Sequence, residues 1–281
     1  MLPAMRIAFT KMHGLGNDFL VFESRPGAGL PELQQWRRLA DRHQGVGFDQ
    51  ALLLEPPRTA GTAIYYRIFN ADGTEVEQCG NGARCVARYL QLAGRVAADG
   101  RVAMGSPGGV IQAQLLGDGR VAVDLGRPNF DPTALPFTAT AAESTYSLQV
   151  GSEHVEFGAV SMGNPHAVVR VTDIESAPVE RLGRALQADA HFPQAVNVGF
   201  MQVLDANHIR LRVYERGAGE TLACGTGACA AVAVGRNLGL LASKVEVHVP
   251  GGRLGVHWEG PEHSVWLTGP AMVSYTGQVD I

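Results

Sequence analysis

Lysine is nearly absent from this 281-residue chain, which contains only Lys11 and Lys244. A pyridoxal phosphate enzyme needs a lysine for its Schiff base, and neither lysine lies in a phosphate-binding context. The net charge is −4 and there is no basic run, so a nucleic-acid partner is not expected. No apolar run approaches the roughly 20 residues that span a bilayer, and the N-terminal segment lacks the apolar core of a signal peptide. These absences predict a cytoplasmic protein with no membrane or nucleic-acid partner and no pyridoxal phosphate.

Cysteine is also scarce, with four residues in two close pairs, Cys79 with Cys85 and Cys224 with Cys229. The pairs are spaced by six and five positions, whereas structural zinc sites usually place their cysteines with two to four residues between them. The zinc interpretation is therefore weak, and no metal or other cofactor is predicted. We expect Cys85 and Cys229 to fill the core as small apolar residues.

The most informative feature is an internal repeat. Residues 64–86 and 209–231 align without a gap at a constant offset, 224 − 79 = 145, which superimposes Cys79-Gly-Asn-Gly-Ala on Cys224-Gly-Thr-Gly-Ala. Each copy predicts a strand, a polar turn containing glycine, and a Cys-Gly-x-Gly that opens a helix of small residues. A single copy would favour a buried structural cysteine beside a tight turn. Two copies in register favour two functional thiols.

The repeat predicts an α/β fold of the α+β type with two pseudo-symmetric domains, each a strand-rich β-structure wrapped around a central helix. The domains are predicted at 1–126 and 127–270, because Gly126-Arg127-Pro128 interrupts the strand pattern, with 271–281 as a candidate segment for returning to the first domain. Helices are predicted at 30–43, 83–92 and 179–188. The segments GVGFDQALL (45–53) and NVGFMQVLD (197–205) predict that Gln50 and Gln202 occupy equivalent positions.

Two thiols beside helix N-termini are suited to removing an α-proton from an amino acid. Free N–H groups and the helix dipole favour negative charge there, so they can stabilise a carbanion as its charge spreads into a carboxylate. The same position lowers the pKa of a cysteine, and glycines let a ligand approach the main chain. Inversion needs an acid on the opposite face of the carbon, so we expect Cys79 and Cys224 to alternate as thiolate base and thiol acid. This chemistry predicts a racemase or epimerase.

Several sequence blocks extend this interpretation from Phe9 to the C-terminus, and together they resemble the diaminopimelate epimerase family. The blocks are KMHGLGNDF (11–19), GFDQ (47–50), FNADGTEVEQCGNGARC (69–85), MGNPHAV (162–168), VNVGF (196–200) and ERGAGETLACGTGA (215–228). The resemblance implies cofactor-free interconversion of LL- and meso-diaminopimelate in lysine and peptidoglycan precursor biosynthesis.

The resemblance also implies roles for individual residues. Arg216 would grip the distal carboxylate in a bidentate manner, and Glu215 would help receive the distal ammonium. His166 and Glu215 would tune the two thiols, and Tyr275 would lie at the contact of a homodimer. The remaining substrate-binding residues that it implies are Asn17, Gln50, Asn70, Gly80, Asn81, Asn164, Asn197, Gly225 and Thr226.

Three alternatives stay open at the level of sequence. A proline racemase-like isomerase shares the paired thiols, although it has little use for an arginine and several asparagines at a second amino-acid head group. An isomerase of the same general fold can use a carboxylate base. A redox-sensing or metal-binding protein could use its thiols reversibly. Most of the polar residues also have ordinary explanations, since asparagine is common in turns for backbone reasons alone.

Replacing Cys79 or Cys224 with alanine tests the two-thiol hypothesis. Either change should abolish epimerisation and leave the fold intact, because losing a thiol from a polar cleft creates little cavity in a core. Turnover and circular dichroism of each variant are the measurements. A variant that lacks one thiol and still epimerises at nearly the wild-type rate would contradict the hypothesis.

Overall fold

The computed structural model describes residues 6–25, 29–76, 79–139, 141–151 and 153–280. The chain divides into two compact units, Met1–Val123 with Gly269–Ile281, and Asp124–Thr268. Within the described part of the chain, no helix is long and apolar enough to cross a membrane.

The first unit is built mainly of strands, with two helices. Its elements are β1 (Arg6–Gly14), β2 (Asn17–Glu23), α1 (Leu33–Ala40), β3 (Gln50–Glu55), β4 (Tyr65–Asn70), β5 (Glu75–Val76), α2 (Gly80–Leu92), β6 (Arg101–Ser106), β7 (Gly109–Leu115), β8 (Val121–Asp124) and β18 (Met272–Asp280).

The second unit repeats this composition. Its elements are a short 3₁₀ helix (Pro132–Ala134), β9 (Tyr146–Val150), β10 (Glu153–Ser161), β11 (Pro165–Arg170), α3 (Val179–Gln187), β12 (Asn197–Asp205), β13 (His208–Glu215), β14 (Gly219–Thr221), α4 (Gly225–Asn237), β15 (Lys244–Val249), β16 (Gly252–His257) and β17 (Trp266–Gly269).

The two units follow one pairing scheme. In the first, β18, β1, β2, β3 and β4 pair in that order as antiparallel, antiparallel, parallel and antiparallel neighbours. Strand β4 also pairs with β5, antiparallel, and with β6, parallel. Strand β6 then pairs antiparallel with β7, and β7 pairs antiparallel with β8. In the second, β9 to β13 show the same order of directions, and β13 pairs with β14 and, in parallel, with β15. The C-terminal strand β18 therefore occupies in the first unit the position that β9 occupies in the second.

The repeat seen in the sequence is reproduced residue by residue around the two central helices. Both α2 and α4 begin immediately after the repeated cysteine, and their bounds differ by the same offset of 145. The ion pair between Arg67 and Glu75, at 2.6 Å, has its counterpart in Arg212 and Glu220, also at 2.6 Å. Each pair joins a long strand to the short strand that precedes the cysteine, so the turn before each helix is fixed in the same way.

The central helices are buried because their surfaces are apolar or small. In α4 ten of the thirteen residues are buried, from Gly225 to Gly235, as expected for a helix that is hydrophobic on all sides. It packs so closely on β10 that a Cβ added to Gly158 would lie 2.3 Å from Val234. Helix α2 buries nine residues, including the charged Arg84. Cys85 and Cys229 are fully buried within these helices.

Two details of the sequence interpretation are wrong. The first helix is shorter than predicted, because Glu32 and Gln35 form a capping box at its start and Asp41 turns into an extended conformation at its end. Gln50 and Gln202 are not equivalent. Gln50 pairs with Asn70 of β4, whereas Gln202 lies inside β12 opposite Arg210. The matching Gly-Phe-x-Gln sequences reflect similar strands. In the strand pairing, Asn197 occupies in β12 the position that Gln50 occupies in β3, at the level of Glu215, which matches Asn70 in the repeat.

Candidate active site

Both repeated cysteines are the N-cap residues of the central helices. Cys79 has φ −149° and ψ 109°, and Cys224 has φ −112° and ψ 111°, so each is still extended when the helix begins. The first N–H groups of a helix have no partner within the helix, and each sulfur lies among them. The Cys79 Sγ accepts a hydrogen bond from Gly82 N at 3.5 Å. The predicted juxtaposition of a thiol and a helix N-terminus is thus present in each unit.

The Cys224 thiol lies against a carboxylate. Its Sγ donates to Glu215 Oε2 at 2.9 Å and lies 3.7 Å from Thr226 Oγ1. The other oxygen of Glu215 accepts from the hydroxyl of Thr221 at 2.5 Å. Burial raises the pKa of Cys224 well above its usual value, and the charge of Glu215 and its hydrogen bond raise it further. Cys224 is therefore a neutral thiol at pH 7, with an acceptor in place for its proton.

A chain of polar side chains reaches the same thiol from the opposite direction. The Nε2 of His166 lies 3.0 Å from Asn164 Oδ1, and Asn164 Nδ2 donates to Thr226 Oγ1 at 3.4 Å. Burial lowers the pKa of His166 to about 3, and the charge of Arg216 contributes to the same direction. A neutral His166 must then carry its proton on Nε2, because Asn164 presents an oxygen to it. Within this unit a series of contacts through Asn164 and Thr226 thus joins His166 to Cys224.

Arg216 and Asn197 form a separate group at the end of β13. Asn197 is buried, and its amide joins Pro165 to Arg216 by donating to the Pro165 carbonyl at 3.0 Å and accepting from Arg216 N at 2.9 Å. The exposed Arg216 side chain donates through Nη1 to the Gln194 carbonyl at 3.1 Å. Asn197 thus fixes the backbone of Arg216, and the Gln194 carbonyl binds one nitrogen of the guanidinium, Nη1.

The partners of Cys79 in the first unit are amides. Its Sγ lies 3.9 Å from Asn17 Oδ1, which also accepts from Asn81 Nδ2 at 3.1 Å. Cys79 is half-buried, whereas Cys224 is only 4% exposed. The two thiols therefore share a backbone position and differ in the chemistry of their neighbours.

Gln50 and Asn70 form a further polar pair at the adjoining ends of β3 and β4. Gln50 Nε2 donates to Asn70 Oδ1 at 3.0 Å, and Asn70 Nδ2 donates to Thr74 Oγ1 at 3.1 Å. The Oε1 of Gln50 is buried and has no hydrogen-bond partner among the described residues. A buried acceptor without a partner is costly, so this oxygen is available to a donor from a ligand.

The helix-opening glycines have a packing role as well as the predicted one. A Cβ added to Gly82 would lie 3.1 Å from Leu52, and one added to Gly227 would lie 3.0 Å from Val213. A side chain at either position would be tight against the adjacent strand, so glycine suits the helix–strand contact independently of a ligand.

Tyr275 lies on β18, where it is 48% exposed. Its ring packs edge-on against Phe9 with centroids 5.9 Å apart, and its hydroxyl donates to the Val46 carbonyl at 3.4 Å. Its role at a homodimer contact stays a prediction. Among the described residues, no group of three or more His, Cys, Asp or Glu side chains could hold a metal ion.

Sequence reasoning missed Arg84, Asp49 and Thr221, although each lies within or beside a block that was recognised. Arg84 is fully buried and donates to Asn81 Oδ1 at 2.7 Å, and Asp49 accepts from Asn17 Nδ2 at 3.0 Å. The available signal was an arginine among the small residues that open a helix which the sequence had marked as central. A buried charge of this kind needs polar partners, and one of these partners, Asn81, is a predicted site residue.

Comparisons with known proteins agree on the architecture. The family model for diaminopimelate epimerase matches residues 9–130 and 158–274. A hydroxyproline epimerase from Agrobacterium vitis is 15% identical, with a TM-score of 0.69 over 98% of this chain and 93% of that one. A PhzF-family phenazine biosynthesis protein from Bacillus anthracis is 16% identical, with a TM-score of 0.69 over 99% of this chain and 100% of that one. At such identities the structures show the fold alone, and the predicted two-domain, strand-rich α/β fold is confirmed.

The low pKa of His166 makes stability depend on pH. Its folded-state pKa of about 3 lies below its ordinary value of 6.5, so between these values the unfolded chain binds a proton that the folded chain does not. The stability contributed by neutral His166 is fully present above pH 6.5 and is lost as the pH falls towards 3. We expect the free energy of unfolding to fall by up to about 1.4 kcal/mol per pH unit more in the wild type than in His166→Gln.

Urea denaturation at pH 7, 6, 5 and 4 measures this difference. The matched control is His154→Gln, which removes an exposed histidine from the same unit, and its curve should run parallel to that of the wild type. If the His166→Gln curve is also parallel to the wild type, His166 is not held neutral by burial.

Proposed function

The chain belongs to the diaminopimelate epimerase family, and on that premise we propose that it interconverts LL- and meso-diaminopimelate with two thiols and no cofactor. Its family and fold make it an isomerase. The finer assignment is carried by one observation. A cysteine caps the central helix in each unit, directly before a Gly-x-Gly, and one of these thiols donates a hydrogen bond to a carboxylate at 2.9 Å.

The proposed reaction conserves protons on the two thiols. A thiolate takes the α-proton, so that the C–H bond breaks and an S–H bond forms. The other thiol gives its proton to the opposite face of the carbon, so that its S–H bond breaks and the new C–H bond forms. Because Cys224 is a neutral thiol in the free protein, we assign it as the acid in the first turnover and Cys79 as the base.

Glu215 allows the roles of the thiols to be exchanged. For the reverse inversion Cys224 must lose its proton before it meets the substrate. The carboxylate oxygen at 2.9 Å can receive that proton, since a candidate base must lie within hydrogen-bond reach of the proton it accepts. The corresponding residue in the first unit is Asn70, an amide that cannot take a proton. We therefore assign Glu215 as the proton acceptor for Cys224.

Stabilisation of the carbanion falls to the two helix starts. As the α-proton leaves, negative charge spreads into the adjacent carboxylate, and the N–H groups of the helix starts at Gly80, Asn81, Gly225 and Thr226 are donors that suit it. Such donors act without reorganising during the reaction, and each can contribute several kcal/mol to the rate in a dry site. Neither helix carries an acidic residue in its first turn, so nothing in those turns competes with a substrate carboxylate.

Arg216 supplies the proposed specificity for a second amino-acid head group. Its guanidinium is exposed and is anchored through Nη1 to Gln194, so its remaining N–H groups can meet a distal carboxylate as a fork. Its backbone position is set by the buried Asn197. A substrate with one carboxylate, such as proline, gives this arginine nothing to bind.

Deuterium incorporation tests the function directly. Incubated in D₂O with LL-diaminopimelate, the protein should form the meso isomer with deuterium at the inverted α-carbon, because the returning proton comes from a thiol that exchanges with solvent. L-Proline should show no exchange at its α-carbon. Exchange on proline without turnover of diaminopimelate would support the proline racemase alternative. Turnover of neither, with reversible oxidation of the thiols, would support the redox alternative.

Arg216→Met tests the specificity argument, because it keeps much of the side-chain length and removes every donor. Losing a charge-assisted contact costs on the order of 2–5 kcal/mol, which corresponds to a fall in kcat/KM of roughly 30- to 5,000-fold. The loss should appear in kcat as well as KM, since remote binding positions the α-carbon. The control is Arg210→Met, on the strand β13 that ends just before Arg216, where Arg210 forms a surface pair with Glu175. Unchanged turnover in Arg216→Met would remove the main reason for choosing diaminopimelate.

A further inference from the structure

The two amides beside Cys79 are each held at their far end by a charged residue. Arg84 donates through Nη2 to Asn81 Oδ1 at 2.7 Å, and Asn17 donates through Nδ2 to Asp49 Oδ2 at 3.0 Å. Between these ends, Asn81 Nδ2 donates to Asn17 Oδ1 at 3.1 Å. The result is one continuous row of hydrogen bonds from a buried guanidinium to a carboxylate, and it passes the Cys79 sulfur.

The charges at the ends leave the amides a single orientation. Arginine can only donate and an ionised carboxylate can only accept, so Asn81 must turn its oxygen to Arg84 and Asn17 must turn its nitrogen to Asp49. Both requirements agree at the centre, where the Asn81 nitrogen then meets the Asn17 oxygen. Flipping either amide would oppose two donors or two acceptors. It follows that Cys79 faces an acceptor oxygen.

We propose that Arg84 and Asp49 are positioning residues that lock the amides of Asn81 and Asn17 with one polarity, so that an oxygen faces the Cys79 thiol. The inference rests on the proposed role of Cys79 in catalysis, and it assigns functions to two residues that do not touch the reacting atoms. Whenever Cys79 carries a proton, its S–H group can donate to Asn17 Oδ1 at 3.9 Å. The Gly82 N–H group on the other side remains for the thiolate.

The Arg84 end is rigid. The side chain is fully buried, and besides Asn81 it donates through Nε to the Pro270 carbonyl at 3.4 Å and through Nη1 to the Gly80 carbonyl at 3.5 Å. A Cβ added to Gly14 would lie 3.2 Å from Arg84 Nη2 and 3.5 Å from Asn81 Cβ. The end of β1 therefore packs closely against the pair.

The Asp49 end is fixed by a group of ion pairs. Arg42 donates to Asp49 Oδ1 at 2.8 Å, and Asp49 Oδ2 also accepts from Asp18 N at 3.1 Å. Asp18 is bound in turn by Arg42 at 2.7 Å and by the buried Lys11 at 2.7 Å. Although partial burial opposes it, the hydrogen bonds from Arg42 and Lys11 hold the pKa of Asp18 well below its usual value. One oxygen of Asp49 is thus left for Asn17 and the neighbouring backbone.

The second unit lacks both ends of this row. At the repeat offset of 145 the position of Arg84 is taken by Cys229, and the residue before Asn197, where Asp49 precedes Gln50, is Val196. Its thiol meets the carboxylate of Glu215 instead. The locked amides therefore act on Cys79 and not on Cys224, which gives each experiment an internal reference.

Differential alkylation with iodoacetamide, mapped by peptide mass spectrometry, tests the proposal without a substrate. In Arg84→Met and Asp49→Leu the amides are released and the acceptor no longer holds the S–H group. Cys79 should then react about 2- to 10-fold faster, the equivalent of one hydrogen bond, while Cys224 is unchanged. Turnover should fall by about tenfold or more, because the amides and the α-carbon are misplaced. A thiol that is more reactive in a slower enzyme is not expected from general damage to the fold.

Conservative variants separate positioning from charge. Asp49→Asn keeps an oxygen for Asn17 and loses the bond from Arg42, so its turnover and alkylation should stay within about threefold of the wild type. Arg88→Met makes the same change on α2 as Arg84→Met, and this control should behave like the wild type. Since Asp49 is 44% exposed, its variants carry the test if Arg84→Met does not fold.

The proposal is overturned if Asp49→Leu leaves Cys79 alkylation at the wild-type rate, or if Cys79 and Cys224 change together. It is also overturned if Asp49→Asn is as impaired as Asp49→Leu, since the charge of Asp49 and its ion pair with Arg42 would then explain the effect. Failure of the proposed function has a different signature: no turnover of diaminopimelate by the wild type, with the alkylation pattern of the variants still as expected.

Discussion

The start of each central helix is the constraint on which the rest of this structure depends. A helix start leaves several backbone N–H groups without partners, and burying them is expensive unless something accepts their hydrogen bonds. Here both starts lie against a sheet, with glycines at Gly82 and Gly227 where a larger residue would be tight against the adjacent strand. A cysteine occupies the extended position just before each start. The fold therefore presents a thiol together with donors that lack partners within the helix.

The duplicated backbone carries two different chemical environments. Positions that match at the offset of 145 hold Asn70 and Glu215, Asn81 and Thr226, and Arg84 and Cys229. A carboxylate beside a buried thiol keeps that thiol protonated and offers a place for its proton. Amides fixed by Arg84 and Asp49 offer hydrogen bonds but no proton exchange. In the proposed mechanism the two thiols act in turn as acid and base, and such unequal neighbours suit it, because proton transfer needs one member of the pair to start protonated.

The sheet of the first unit is completed by the end of the chain. Strand β18 pairs along its length with β1, as β9 pairs with β10 in the second unit. The segment that brings the chain back also contributes the Pro270 carbonyl to Arg84. One segment, residues 270–280, therefore completes the first sheet and binds the buried guanidinium of Arg84. Because Arg84 holds Asn81, the same segment also affects the position of the amides beside Cys79.

The sequence by itself determined the family, the fold class, and the register of the repeat at both cysteines, because identical local patterns of strand, turn and Gly-x-Gly can be compared without knowing any contact. It also marked most of the polar residues that surround the thiols. Tertiary structure decided which of them touch. It separated Gln202 from Gln50, since strand pairing and not letter similarity sets equivalence. It brought Glu215 to Cys224, and it gave Arg84 and Asp49 their partners through contacts between segments far apart in the chain.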